Sequence, residues 1–288
     1  WRRARERYER LLFVDDHASA AQTEPDVIPN VDVYFKKQLL ADRSRYADPI
    51  YGKRLYTDHY HHAEGIRDTE EVVLRGLTEE EIAKLRPLWN LGIGLFPKSR
   101  IRAGLLRRLE PAVGVAAARL LSHPPRRGRV SSERTPRIQA RFSSNFDRET
   151  VAIHRRRFAE QAGRHPETFL TGKVDQRTYN REVYDVAGVA SPFGWGEVCF
   201  RDFEAIIGGA TLIKPEMSHV ETWPDVFRPG ETYLPVDWNA ERLPEVAEWV
   251  LSHPGEARSI AERAREVFFG AYTDLESRLD SLFAELRG

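Results

Sequence analysis

The stretch "SPFGWGEVCFRDFEAIIGGATLIKP" (residues 191–215) contains a glycine-rich turn, an amphipathic run and an apolar segment in succession. Gly194 and Gly196 allow a tight turn, and apolar residues at helical spacing follow from about Glu197. The apolar segment at 210–217 has the length and composition of a buried strand. A turn and a helix that lead from one strand to the next are typical of a parallel α/β sheet.

The same alternation of strand and helix surrounds this stretch. Short apolar strands connected by helices imply right-handed crossovers, so a parallel sheet with helices on both faces is predicted. We therefore expect residues 126–270 to form a Rossmann-like domain. Its other predicted strands lie at 137–144, 167–174, 188–194 and 231–238, and its predicted helices at 147–163, 176–187, 196–209 and from about Leu243.

The first half of the chain contains strand-like segments with long loops between them, which indicates a second α/β unit over residues 1–125. A segment rich in Pro, Gly, Ser and Arg at 122–136 has no apolar periodicity and is interpreted as the linker. Residues 271–288 are predicted to form a C-terminal helix that can cross back to the first unit. The predicted fold is thus α/β, with two Rossmann-like domains, a cleft between them and a long helical tail. The strand candidates of the first half are 10–16, 31–38, 53–58 and 91–96.

The overall composition narrows the class of protein. With 288 residues, 41% of them hydrophobic, the chain can bury a sizeable core, and its 44 basic and 44 acidic residues cancel. No net field therefore favours nucleic acid as a partner, while peripheral contact with a membrane surface stays open. A single cysteine, Cys199, permits no internal disulfide and favours the reducing cytoplasm. No apolar run reaches the roughly 20 residues that a membrane-spanning helix needs, and the start at Trp1 indicates a fragment or a trimmed chain.

The glycine-rich turn has the features of a ligand site. In an open parallel sheet, ligands bind beyond the carboxyl ends of the strands, where backbone N–H groups and helix N-termini attract anions. Glu197, Arg201 and Glu204 recur at helical spacing and are predicted to share one helix face. Arg201 can donate to a phosphate, Glu204 can accept from two ribose hydroxyls, and Lys173 follows another strand at the same edge. A diphosphate fits this set, although similar patterns also occur as surface salt bridges in ordinary α/β proteins.

These residues resemble the nucleotide-sugar-binding segment of glycosyltransferases with the GT-B fold, and residues 137–270 are similar in pattern to exostosin-like and bacterial family-1-like enzymes. The resemblance implies a nucleotide-diphosphate sugar as the donor substrate, with no metal and no further cofactor. It also implies that Glu204 binds the donor ribose and that Lys173 lies near the diphosphate. Similar enzymes of the retaining type carry two glutamates eight apart, whereas Glu197 and Glu204 are seven apart, so the stereochemical outcome stays open. The residues assigned to the donor are Lys173, Gly194, Trp195, Gly196, Glu197, Arg201 and Glu204.

A group that accepts the proton of the attacking hydroxyl is expected from the first domain, across the cleft. Carboxylates and imidazoles follow two predicted strands there, in "FVDDHAS" (13–19) and "LYTDHYHHAEG" (55–65). The structural alternative is that the aspartates cap turns, and the histidines of the second segment leave a zinc site open, as in a metal hydrolase. The catalytic candidates are Asp16, His17, Asp58 and His61, with Glu197 of the second domain as the alternative.

The predicted function is transfer of a sugar from a nucleotide-activated donor to a glycan or another hydroxyl acceptor. Tyr56 and Tyr60 suit the apolar faces of an acceptor sugar, or belong to the core. The loop at 216–227, which carries His219 and Trp223, is expected to lie over the donor or to pack as a structural loop. The alternative function is a non-catalytic protein that binds a sugar nucleotide or a glycan on the same fold.

Overall fold

The structure is a computed structural model that describes residues 1–93 and 133–287 together with short stretches between them. The described part forms two α/β units. The first contains a three-stranded parallel sheet built from residues 12–87, and the second a five-stranded parallel sheet built from residues 135–236. The short stretches are residues 96–97, 105, 108, 122–123, 125–128 and 130–131.

The helices and strands of the described residues alternate along much of the chain. The α-helices are α1 (Arg2–Arg7), α2 (Leu55–Glu64), α3 (Glu79–Ala83), α4 (Glu149–Gly163), α5 (Gln176–Asp185), α6 (Phe200–Gly208), α7 (Leu243–Ser252), α8 (Pro254–Thr273) and α9 (Leu275–Arg287), and short 3₁₀ turns lie at Ile28–Asn30 and Arg43–Ala47. The strands are β1 (Leu12–Asp15), β2 (Val33–Lys36), β3 (Gln38–Leu40), β4 (Ile50–Tyr51), β5 (Val73–Leu74), β6 (Leu85–Pro87), β7 (Phe96–Pro97), β8 (Ser122–His123), β9 (Thr135–Gln139), β10 (Phe169–Leu170), β11 (Val186–Ala190), β12 (Thr211–Pro215), β13 (Val220–Thr222) and β14 (Leu234–Val236).

The second sheet has the strand order β10-β9-β11-β12-β14, and each neighbouring pair is parallel. Every residue of β12 is buried, because a central parallel strand is covered on both faces and therefore needs no alternation of polar and apolar residues. The first sheet has the order β1-β2-β6 and is also parallel. In each sheet the carboxyl ends of the strands, and the loops that follow them, consequently lie along one edge.

The predicted fold class is confirmed. The two parallel sheets are separate, and a helical tail follows the second one. The boundary proposed near residue 125 falls between β6 of the first sheet and β9 of the second. The strand candidate at 91–96 begins with a turn at 91–93, and residues 94–95 lie outside the described residues.

One predicted strand is wrong, since residues 53–58 lead into helix α2. Tyr56, Thr57 and Tyr60 are buried on one face of this helix, at a spacing of one and four residues. Gly65 ends the helix in the left-handed conformation (φ 68°), which glycine adopts without a steric penalty. Tyrosine and threonine favour strands on average, but burial of this face against the second half outweighs that preference.

The start of α6 also differs from the prediction. The helix was expected from about Glu197, but it begins at Phe200. The side chain of Asp202 accepts a hydrogen bond from the backbone N–H of Cys199 at 2.9 Å, which satisfies one of the free amides at the helix start. The three residues before the helix therefore remain part of the turn.

The two halves join where their sheet edges face each other. Strand β3 of the first half forms an antiparallel pair with β13 of the second, with Leu40 opposite Val220. Tyr56 and Tyr60 of α2 belong to the same buried cluster as Phe193 of the second half. Backbone pairing and apolar burial thus both hold the junction together.

The C-terminal helices return to the first half. The Tyr272 hydroxyl donates to Gly92 O at 2.6 Å, and Leu282 of α9 is buried against Phe35 and Leu88. The apolar spacing of the tail is therefore used for packing across the first unit. Within the residues that the structure describes, no helix has both the length and the apolar character needed to cross a membrane.

Candidate active site

The glycine-rich turn lies against the first half of the chain. Gly196 approaches Ala18 so closely that a Cβ atom would overlap the Ala18 carbonyl oxygen. At Gly194 a Cβ atom would come within 2.8 Å of the Arg155 guanidinium, and Gly194 O accepts a hydrogen bond from the Tyr56 hydroxyl. Close packing against backbone therefore requires glycine at position 196, and the turn contacts the first half of the chain at both glycines.

Glu197, predicted for both catalysis and donor binding, is fully buried in this junction. One carboxylate oxygen accepts from Ser19 Oγ at 3.0 Å, and the other accepts from Ala20 N–H at 2.9 Å. The carboxylate thereby holds the loop after β1 against the loop after β11. In this conformation both of its oxygens are engaged within the protein.

A buried ion pair supports the first turn of α6. Lys214 Nζ lies 3.0 Å from one Asp202 oxygen and 3.2 Å from the other, and both side chains are fully buried. Ser191 Oγ donates to Asp202 at 2.5 Å, and Cys199 Sγ lies 3.3 Å from the same oxygen. This network connects β11 and β12 to the helix that carries Arg201.

Arg201 of α6 lies side by side with Arg155 of α4. Arg155 Nε donates to Phe193 O at 2.6 Å, and its guanidinium carbon lies 5.9 Å from the centroid of the Phe142 ring. The Arg201 guanidinium carbon lies 5.7 Å from the same ring, and its Nη2 donates to Arg141 O at 3.1 Å. Burial and the neighbouring Arg201 charge lower the pKa of Arg155 to about 10, so it stays cationic at neutral pH. Neither guanidinium forms an ion pair with a carboxylate of the described residues.

Arg201 and Glu204 share one face of α6, as the spacing predicted. Tyr179 of α5 donates from its hydroxyl to Glu204 Oε2 at 2.7 Å. Arg141, at the end of β9, hydrogen-bonds to Gly172 O at 3.4 Å and so contacts the loop that carries the exposed Lys173. The predicted donor residues Arg201 and Glu204 therefore come together, and Lys173 is exposed on the neighbouring loop at the same edge of the sheet.

Trp195 is the exposed member of the glycine-rich turn, with 43% of its surface accessible. Its ring lies 5.3 Å from the Phe146 ring and 5.2 Å from the guanidinium carbon of Arg54. The tryptophan thus offers an aromatic surface between the two halves, next to Phe146 and the Arg155 guanidinium.

The carboxyl end of β1 holds a network around Asp15. Its carboxylate accepts from Lys36 Nζ at 2.8 Å and from the Tyr34 hydroxyl at 2.7 Å. Burial opposes ionisation of Asp15, but the charge and hydrogen bonds of these partners outweigh it and hold the pKa of Asp15 below its usual value. His17 Nδ1 lies 2.6 Å from Asp15 Oδ1, whereas Asp16 is 90% exposed and pairs with Lys37 at 2.8 Å.

A cavity of about 610 Å³ lies between the two halves. Asp58 lines it, and Asp58 Oδ1 accepts from the backbone N–H of Tyr51 at 2.8 Å and lies 3.3 Å from His62 Nε2. The first half supplies six of the lining residues and the second half two. They are Arg45, Leu55, Asp58, His59, His62, Ala63, His219 and Trp238.

The histidines of α2 point in different directions. His61 stacks on Tyr51, with ring centroids 3.8 Å apart, and its Nδ1 lies 3.0 Å from Ile66 O. His59 lies against Trp238 at 5.4 Å and His62 lies near Asp58. Over the described ranges, no three His, Cys, Asp or Glu side chains are grouped as a metal ion would require.

Sequence reasoning missed a buried histidine, His154. Its Nε2 accepts from Phe193 N–H at 3.1 Å, so Nδ1 carries the proton and donates to the Tyr60 hydroxyl at 2.9 Å. Tyr60 in turn donates to Trp238 O at 2.6 Å. The helix "ETVAIHRRRFAEQAG" carries the signal, because His154, Arg155 and Phe158 are spaced as one buried helix face.

Burial lowers the pKa of His154 well below its ordinary value of 6.5, and nearby cations add to this effect. Because the unfolded chain takes up a proton on this residue below about pH 6.5 and the folded chain does not, stability is expected to fall as the pH drops. The slope is at most about 1.4 kcal/mol per pH unit for one histidine. A His154→Gln variant, which retains one donor and one acceptor, should show a smaller loss between about pH 7.5 and about pH 5.5 in urea unfolding. His165→Gln, at a half-buried histidine, serves as the control, and equal slopes in His154→Gln and wild type would contradict the assignment.

Comparisons with known proteins find distant similarity to solved structures. No protein-family model matches the chain, and no curated protein matches it. The C-terminal domain of a glycosyl transferase group 1 family protein (LpcC) from Francisella tularensis is 16% identical, with a TM-score of 0.29, over 41% of this chain and 60% of that chain. HepE from Anabaena in complex with UDP is 11% identical, with a TM-score of 0.43, over 96% of this chain and 72% of that chain. The chain thus spans about 60% of the first of these structures, and the likeness concerns the fold alone.

Proposed function

We propose that this protein is a glycosyltransferase that moves a sugar from a nucleotide-diphosphate donor to a hydroxyl acceptor. The proposal depends chiefly on one observation, the adjacent cations Arg155, which is buried, and Arg201, which is half-buried; neither forms an ion pair with a carboxylate in the described part of the chain. Burial and the Arg201 charge disfavour the cationic form of Arg155, a cost that a bound anion would offset. A diphosphate would supply the missing negative charge.

The face of α6 that carries Glu204 suits the ribose of a bound nucleotide. Glu204 is partly exposed and holds one hydrogen bond, from Tyr179, so its carboxylate retains acceptor capacity for ribose hydroxyls. The exposed ring of Trp195 packs against Phe146, whose ring also lies beside the Arg155 guanidinium. Fixed cations that stabilise the departing diphosphate can replace a metal ion, and we propose a metal-independent reaction.

Two of the four proton acceptors expected from the first half remain candidates. His17 lies after the carboxyl end of β1, with Nδ1 2.6 Å from Asp15 Oδ1 and Nε2 3.2 Å from Glu24 Oε1. Asp58 lines the cavity between the halves. Asp16 instead pairs with Lys37, and His61 stacks on Tyr51. We therefore propose that the base is His17 or Asp58.

A thermal-shift panel tests the donor class. A nucleotide sugar that binds the native state raises the unfolding temperature, by an amount that grows with the logarithm of its concentration relative to its Kd. UDP-, GDP- and dTDP-sugars at equal concentration can therefore be compared directly, with a CMP-sugar, which lacks a diphosphate, as the negative control. Release of the free nucleotide with an added acceptor then measures turnover. Stabilisation without turnover would indicate the non-catalytic binding protein, and no stabilisation by any of them would contradict the proposed donor class.

Replacement of Glu204 with Ala is expected to weaken binding of that nucleotide sugar by about 1–3 kcal/mol, because hydrogen bonds to a charged group are lost. Titration calorimetry on the variant and the wild type measures the difference. Glu160→Ala, an exposed glutamate on α4, is the matched control and should bind like wild type. Unchanged affinity in a folded Glu204→Ala protein would remove Glu204 from the donor site.

A further inference from the structure

The cavity between the two halves contains a histidine without a protein partner. Among the described residues, neither ring nitrogen of His219 has a hydrogen-bond partner, and both nitrogens are buried. The ring lies edge-on to Trp238 at 5.2 Å and to Phe193 at 6.0 Å. Buried polar groups are almost always hydrogen-bonded, so a ligand group in the cavity is the natural partner.

His219 is held in place by its backbone. The adjacent strand β13 pairs with β3, and Ala41 N–H donates to His219 O at 2.9 Å. Burial lowers the pKa of His219, partly offset by the charges of Glu197 and Glu216, so the ring is neutral near neutral pH. A neutral imidazole offers one donor and one acceptor, which suits a sugar hydroxyl.

The cavity is also lined by a cation, the exposed Arg45. Its guanidinium forms no ion pair with a carboxylate of the described residues, and the Asp42 carboxylate nearby accepts from Ser44 N–H and Oγ. Asp58 is the one carboxylate among the lining residues, and His62 lies beside it. The cavity therefore combines an aromatic surface, a neutral hydrogen-bonding ring and an exposed guanidinium.

We propose that this cavity is the acceptor site and that it selects a sugar that carries a carboxylate or phosphate group. Trp238 packs against the face of the sugar ring, His219 hydrogen-bonds to a ring hydroxyl, and Arg45 binds the negative group. The volume of about 610 Å³ lies in the usual range for a small-molecule site. The identification of the ligand as an acceptor depends on the proposed function, whereas the charge selectivity of the cavity does not.

Saturation-transfer NMR titration of the full chain with glucuronate, glucose 6-phosphate and glucose tests this site. At least one of the two anionic sugars is expected to bind about ten-fold or more tightly than glucose, and the stronger of them identifies the charged group. Arg45→Ala should reduce this preference to within about two-fold, and Arg45→Lys should retain part of it. His219→Ala should weaken all three sugars together, since it removes the hydroxyl contact.

Two controls separate this site from others. Arg164→Ala, an exposed arginine outside the cavity, and Arg201→Ala, in the proposed nucleotide site, should both keep the wild-type preference. A preference that disappears in Arg201→Ala would place the anion in the nucleotide site and overturn the proposal. Equal binding of charged and uncharged sugars, or no binding of the anionic sugars, would also overturn it. Nucleotide binding is measured separately, so failure of one proposal is distinguishable from failure of the other.

Discussion

A Lys214→Met variant is expected to lose about 3–5 kcal/mol of its free energy of unfolding, the usual cost of removing one partner of a buried ion pair. Lys214 and Asp202 are both fully buried, and the ammonium group contacts both carboxylate oxygens. Without Lys214, the buried Asp202 carboxylate loses the cation that contacts both of its oxygens. Urea unfolding at neutral pH measures the loss.

Two further variants test the cause of that loss. A Lys214→Met/Asp202→Asn double variant should recover a large part of the stability, because the buried charge is gone and the amide oxygen still accepts from Cys199 N–H. Lys37→Met breaks an ion pair with the exposed Asp16 and should cost less than about 1 kcal/mol. If Lys214→Met costs no more than Lys37→Met, the buried pair does not stabilise the fold in this way.

Replacement of Arg201 with Ala is expected to lower turnover of the nucleotide sugar by about 10²- to 10³-fold, as for loss of one preorganised donor to developing charge. The diphosphate gains negative charge as it leaves, and the guanidinium next to Phe142 is already fixed and shielded from water. The rate constant kcat should fall more than donor affinity does. Steady-state kinetics with the donor identified by thermal shift measure both quantities.

Arg201→Lys tests the geometry of this contact. Lysine keeps the charge but lacks the planar pair of donors, so an intermediate rate is expected. Arg258→Ala, at an exposed ion pair on α8, is the control and should retain wild-type turnover. A kcat for Arg201→Ala within a few-fold of wild type would show that the leaving group is stabilised elsewhere.

The buried ion pair and Arg201 have different roles at the same site. Asp202 and Lys214 lie beneath the first turn of α6 and fix where the helix begins, whereas Arg201 projects from that turn. A fully folded Arg201→Ala protein with low turnover would therefore separate the chemical role of the helix from its structural support.

Local periodicity was sufficient for most of the second half and for the strands predicted at 10–16 and 31–38, but it was wrong at 53–58. The alternation around residues 137–215 predicted the parallel sheet and the shared face of Arg201 and Glu204. The segment "KRLYTD" (53–58) was read as a strand because aromatic and threonine residues favour strands. Its buried face at Tyr56 and Tyr60 packs against the second half of the chain, a contact that no local preference contains.

The sequence by itself determined the succession of strands and helices, since the spacing of apolar residues shows which face of each element is buried. Only the tertiary structure decided what each face is buried against. It brings Glu197 to Ser19 and Ala20, 178 and 177 residues earlier, and places Arg155 of α4 beside Arg201 of α6 at the ring of Phe142. Such contacts depend on which strand ends become neighbours in the sheets, and short-range spacing carries no record of that order.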